Sequence, residues 1–128
     1  MPASESAVTQ SCIAELRHVF DRAHAKIVHC VDQLSDDQLN WRPFEAQNSI
    51  ANIILHLCGN VRQWIIGGVE QRPDLRKRAA EFSDRKRYAR DDLKKRLAET
   101  VREADQTLSR ITSETILQKR RFRRSRCP

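Results

Sequence analysis

Apolar residues recur at spacings of three and four along three long stretches, and this periodicity constrains the fold more than any other sequence feature. The stretches cover roughly residues 7–34, 49–67 and 91–116. Only three glycines and four prolines interrupt the 128 residues, which favours long helices. The pattern predicts an all-α fold in one domain, residues 1–117, followed by a basic, disordered tail, residues 118–128.

Local signals place the ends of these helices. Ser35 and Gln38 have the spacing of a capping box and predict a short helix that ends near Trp41, ahead of Pro43. We expect the loop 39–46 to be anchored by Trp41 and Phe44. Asn48 or Ser49 should cap the second long helix. That helix is apolar around most of its circumference, which predicts a central place in the bundle. Residues 69–90 should form a long connection.

The net charge of +7 is concentrated near the C-terminus. The basic tail contains Lys119, Arg120, Arg121, Arg123, Arg124 and Arg126. Without these six residues the formal charge is +1, so the body is nearly neutral. A second basic cluster lies within residues 72–90, but only Tyr88 and Phe122 lie near the charges as aromatic stacking partners. Nucleic-acid binding is therefore disfavoured and would involve the tail or the 72–90 cluster.

The cysteines indicate a reducing compartment. Four occur, none in a CxxC pair, and residues 1–10 lack the basic and apolar parts of a secretory leader. No apolar run approaches the roughly 20 residues that span a bilayer. We expect a cytoplasmic protein without membrane association.

A polar stripe within the apolar second helix is the strongest candidate site. Asn52, His56, Asn60 and Gln63 follow at spacings of four, four and three and share one face. Neutral imidazole ligates Zn, Ni, Fe or Mn, so His56 is the candidate metal ligand, with Asn52, Asn60 and Gln63 as its hydrogen-bond partners. A catalytic zinc site needs about three protein ligands. The alternative is that His56 is a hydrogen-bonded structural residue.

The other potential ligands do not complete such a site. His18 and His29 are about three turns apart on the first helix, too far for one ion. His24 lies beside an apolar stripe, where a packing or surface role is expected. Cys58 lies about 200° around the helix from His56, so the two cannot share an ion.

Residues 27–69 carry a resemblance to a known family. Two segments carry it, DQLSDDQLNWRP and NSIANIILHLCGNVRQW. They resemble the DinB-like superfamily, in particular an uncharacterised bacterial branch. The resemblance implies an up-down-down-up four-helix bundle that binds a divalent ion through three histidines. His56 matches the histidine of the second helix, whereas the HxxxH pair of the fourth helix has no match. We therefore expect about three long helices, the fourth being largely missing through truncation or a frameshift.

The resemblance also sets the functional expectation. It implies a divalent-metal-binding protein of unknown small-molecule substrate, a metal-dependent hydrolase or thiol S-transferase when complete. The alternative is a non-catalytic helical fragment or dimerising module, with weak nucleic-acid binding through the tail as a third option. We expect a homodimer, because the second helix has more apolar surface than two neighbours can cover.

Overall fold

The computed structural model describes residues 4–121, which form helices joined by turns and loops, with no strand among them. Its elements, in chain order, are α1 Glu5–Asp32, α2 Asp36–Asn40, α3 Ile50–Val61, a π-helical segment Arg62–Gly67, α4 Gly68–Glu70, α5 Arg78–Ser83 and α6 Arg90–Ser109. The three long helices of the sequence analysis are present as α1, as the continuous run from α3 through α4, and as α6. No helix in this part of the chain is long and apolar enough to cross a membrane.

Side-chain caps start the helices where the sequence predicts them. Ser35 and Gln38 form the expected capping box of α2, which ends at Asn40. Of the two candidate caps for α3, Ser49 is the one used, and it forms a second capping box with Asn52. Each box satisfies backbone N–H groups that the first helical turn leaves without partners.

The central position belongs to α6, because α6 packs against both α1 and α3. The shared core contains Val31, Leu39, Ala51, Ile54, Cys58, Leu93, Leu97 and Val101. Arg17 of α1 clamps Asp105 of α6 through two hydrogen bonds of 2.7 and 3.0 Å. The prediction that the second helix is central is therefore wrong. The second long helix, from α3 through α4, leaves Ile50, Ile53 and Trp64 between 37 and 47% exposed.

Two further predictions need correction. The third helix ends at Ser109 rather than near residue 116, because the Thr112 and Thr115 hydroxyls bond to each other's backbone N–H and form a local turn. Trp41 and Phe44 do not anchor the loop that follows α2, since they are 66 and 70% exposed. Arg42 holds this loop instead, by donating to the Asn52 side chain at 2.8 Å.

The segments before and after α6 both contact earlier parts of the bundle. The predicted connection 69–90 contains the short helix α5, which packs against α3. After α6, Arg120 donates to the carbonyl of Val69 at 3.1 Å, and the Arg121 N–H donates to Gln71 at 3.1 Å. The beginning of the predicted tail is thus bonded to the segment around α4. The remainder, residues 122–128, lies outside the described residues.

Candidate functional site

His56 projects from α3 toward the segment that carries α5. Its Nδ1 lies 3.0 Å from a guanidinium nitrogen of Arg76 and 3.3 Å from a carboxylate oxygen of Glu81. The Phe82 ring lies 4.8 Å from the imidazole, centroid to centroid. The His56 side chain retains 27% exposure, so it is covered on one side without being sealed.

Arg76 and Glu81 form the centre of this network. Two guanidinium nitrogens donate to the two carboxylate oxygens at 2.9 and 3.1 Å, in a bidentate geometry. The side chains are 5 and 13% exposed, so solvent screens this pair weakly. Arg76 also donates to Gln63 at 2.8 Å, and Gln63 donates to Asp74 at 3.0 Å.

Gly59 makes room for this ion pair. It lies on the same face of α3, between His56 and Gln63. A Cβ at this position would overlap the Glu81 carboxylate and approach Nε of Arg76 to 3.1 Å. The absence of a side chain therefore lets the carboxylate lie against the helix backbone.

Asn52 has a different role from its neighbours on the stripe. Its side chain is 1% exposed and bonds to Ser49, to Arg42 and to the carbonyls of Glu81 and Asp84. These bonds use the amide on both its donor and acceptor sides and join the start of α3 to the end of α5. Asn52 thus holds α5 against α3 without contacting His56.

Only part of the polar stripe of the second long helix meets in one hydrogen-bond network. His56 and Gln63 both contact Arg76, whereas half-buried Asn60 makes no side-chain hydrogen bond within residues 4–121. Sequence reasoning missed Arg76 and Glu81 as site residues. The available signal was Gly59, a helix-weakening residue beside His56 that indicates close approach of another segment.

The described residues do not fit a resident divalent ion. Within residues 4–121 no three His, Cys, Asp or Glu side chains lie close enough to hold one. The Arg76 guanidinium can only donate, so its contact with Nδ1 leaves that nitrogen as an acceptor and puts the neutral imidazole proton on Nε2. A protonated Nε2 has no lone pair for a metal, and the Arg76 cation repels a second cation.

A cleft of about 990 Å³ opens beside this network, between the π-helical segment and residues 71–77. Its apolar lining includes Trp64, Ile66, Pro73 and Leu75. The charged lining comprises the cations Arg62, Arg72, Arg76, Lys77 and Arg121 and the acids Asp74, Glu81 and Glu103. Arg62, Arg72 and Arg76 are paired with acids, whereas Lys77 and Arg121 form no ion pair in the described chain. The cleft therefore has an excess of positive charge next to apolar surface.

A smaller cavity, of about 380 Å³, lies between α3, α5 and α6. Cys58 and Thr100 contribute buried side chains to its lining. Burial raises the pKa of the Cys58 thiol despite a hydrogen bond with Thr100, which makes this sulfur a weak nucleophile at neutral pH. At another side of the cavity the Tyr88 hydroxyl donates to Asp84 at 2.5 Å. This arrangement stabilises the connection 84–90 and offers no activated nucleophile.

Fold and site together define a small all-helical domain with a basic cleft that is lined in part by Trp64. The chain belongs to the family described as "Protein of unknown function (DUF1572)", whose model matches residues 7–126. The match therefore covers α1 through α6 and continues past position 117, where the sequence predicts the tail to begin. No curated protein and no solved structure matches the chain significantly.

Proposed function

We propose that this chain is a binding domain whose cleft takes a small anionic ligand with an apolar body. The observation that carries the proposal is the excess of cations beside Trp64, with Lys77 and Arg121 free of ion pairs within residues 4–121. The volume of about 990 Å³ lies at the upper end of the range for small-molecule pockets. A carboxylate or phosphate would contact the unpaired cations, while an aromatic or aliphatic part would contact Trp64 and Leu75.

The Arg76–Glu81 pair supports this function by fixing the wall of the cleft. Arg76 is held by Glu81, Gln63 and His56 together, so its position does not depend on a ligand. A preformed wall lowers the ordering entropy that binding costs. In this proposal His56 is a positioning residue, which agrees with the structural alternative of the sequence analysis.

Two probes of the same shape test the proposal, indole-3-acetate and indole-3-acetamide, which differ in one negative charge. Calorimetric titration of the full chain should show the acetate binding at least about five-fold more tightly, as expected for one partly screened charge contact. Lys77→Gln combined with Arg121→Gln should remove this preference. Lys95→Gln, an exposed change on α6 outside the cleft, is the matched control and should retain it. Equal affinity for the two probes in the wild type would contradict the proposal.

The resemblance carries a second proposal, that the family is a branch of the DinB-like superfamily and that His56 binds a divalent ion. The contact favouring it is Glu81 at 3.3 Å from Nδ1, because a carboxylate commonly orients a ligating histidine through its other nitrogen. Arg76 would have to leave Nδ1 first, and further ligands would have to come from outside the described residues. Zinc titration of the wild type and His56→Ala tests this: equal, weak binding by both proteins counts against it.

A further inference from the structure

One row of α1 is exposed along the whole helix. Its members follow at spacings of three and four and therefore share one side. They are Glu5, Val8, Cys12, Leu16, Val19, Ala23 and Lys26, and every one of them is exposed. Val8, Leu16 and Val19 are 45 to 52% exposed, although α1 buries Ile13 and Val31 on an adjacent side. The row thus combines an apolar centre with an acid at one end and a base at the other.

The row is complementary to itself when it is reversed. Glu5 and Lys26 are equally far from the point between residues 15 and 16, and so are Val8 and Ala23, and Cys12 and Val19. An antiparallel copy therefore places acid against base at both ends and apolar residues against apolar residues between them. A parallel copy would place Glu5 against Glu5 and Lys26 against Lys26, which is unfavourable.

From this complementarity we propose that α1 pairs antiparallel with α1 of a second copy of the chain, about a two-fold axis near Leu16. An isologous contact of this kind forms each pair twice. Neither Glu5 nor Lys26 has an ion pair within residues 4–121, so both charges are available. The row extends over about 32 Å at 1.5 Å per residue, long enough for several layers of side chains. The interface lies on α1, so the proposal is independent of the cleft and of its ligand.

The register gives a direct test by cross-linking. In a background with Cys30→Ser and Cys127→Ser, Val19→Cys would face Cys12 of the second copy, whereas Val8→Cys would face Ala23. Oxidised glutathione should link the Val19→Cys protein into disulfide dimers at least about ten-fold faster than the Val8→Cys protein, because disulfides need Cα atoms within about 7 Å. Equal rates for the two variants would overturn the proposal.

A charge exchange keeps the proposal testable if either cysteine variant folds poorly. Lys26→Glu should raise the dimer dissociation constant about five-fold in sedimentation equilibrium at low salt, because two screened ion pairs become repulsive contacts. Adding Glu5→Lys to the same chain should restore the wild-type value. A double variant as weakly associated as the single one, or a wild-type chain that stays monomeric at millimolar concentration, would overturn the proposal.

Discussion

Arg76 donates a hydrogen bond to Nδ1 of His56 at 3.0 Å, and this contact determines which imidazole nitrogen carries the proton. The same nitrogen lies 3.3 Å from Glu81, which would accept a hydrogen bond from Nδ1–H if Arg76 were absent. The tautomer of His56 therefore depends on a residue 20 positions away in the chain.

Arg76→Met should move the imidazole proton from Nε2 to Nδ1. Methionine keeps much of the side-chain volume but cannot donate, so within residues 4–121 Glu81 remains as the hydrogen-bond partner of Nδ1. Two-bond ¹H–¹⁵N correlation spectra of the imidazole distinguish the two tautomers. Arg78→Met is the matched control, since Arg78 lies over the Phe82 ring at 5.4 Å and does not bond to His56. The same tautomer in wild type and Arg76→Met would contradict the assignment.

Gly59→Ala should lower the free energy of unfolding by about 1 kcal/mol because its Cβ displaces the Glu81 carboxylate from Arg76. Helix propensity alone predicts the opposite sign, a gain of about 1 kcal/mol. The sign should therefore reverse in a Glu81→Ala background, where no carboxylate is displaced. Urea denaturation of the four proteins measures this, and a stabilising Gly59→Ala in the wild-type background would refute the close approach.

The two capping boxes should differ in their contribution to stability. Asn52→Ala leaves the buried Ser49 N–H and the Glu81 carbonyl without their amide partner and removes one of the donors to the Asp84 carbonyl, so we expect the free energy of unfolding to fall by about 3 kcal/mol. Gln38→Ala removes the equivalent group from an exposed box and should cost about 1 kcal/mol or less. Chemical denaturation compares them directly, and equal losses would mean that Asn52 acts only as a cap.

The clamp between α1 and α6 should make stability depend on pH in the acidic range. The hydrogen bond from Arg17 lowers the pKa of Asp105, so the stabilisation is present above the ordinary aspartate pKa and is lost as pH falls through the lowered value. Wild type should melt at a higher temperature than Asp105→Asn at pH 6, and the difference should vanish near about pH 2. Glu15→Gln, in an exposed pair with Arg22, is the control and should change little. A constant difference between wild type and Asp105→Asn would contradict the prediction.

The sequence predicts the helices well because their signals are local. The capping box of Ser35 with Gln38, the all-helical class and the approximate positions of the three long helices follow from spacing alone, whereas the box of Ser49 with Asn52 was found only in the structure. The end of α6 could not be predicted in this way, because Thr112 and Thr115 bond to the backbone in a turn that apolar spacing does not register.

The site was only half predictable. His56 and Gln63 lie on a visible stripe, but Arg76 and Glu81 come from a connection without periodicity. Their positions depend on how Asn52 bonds the end of α5 to α3, which is a tertiary contact. The sequence predicts Asn52 as a hydrogen-bond partner of the candidate metal ligand, and in the structure its side chain joins α3 to the end of α5.

The π-helical segment Arg62–Gly67 determines the direction in which the side chains after it point. A turn closed by i→i+5 bonds contains one residue more than an α-helical turn, which rotates the later side chains by about 100°. Glu70, beyond the segment, thereby meets Thr107 and Arg110, each at 2.8 Å. Loss of a single residue from the segment would restore a regular α-helix and point Glu70 away from the end of α6. The number of residues between Val61 and Gly68 is therefore itself a structural requirement.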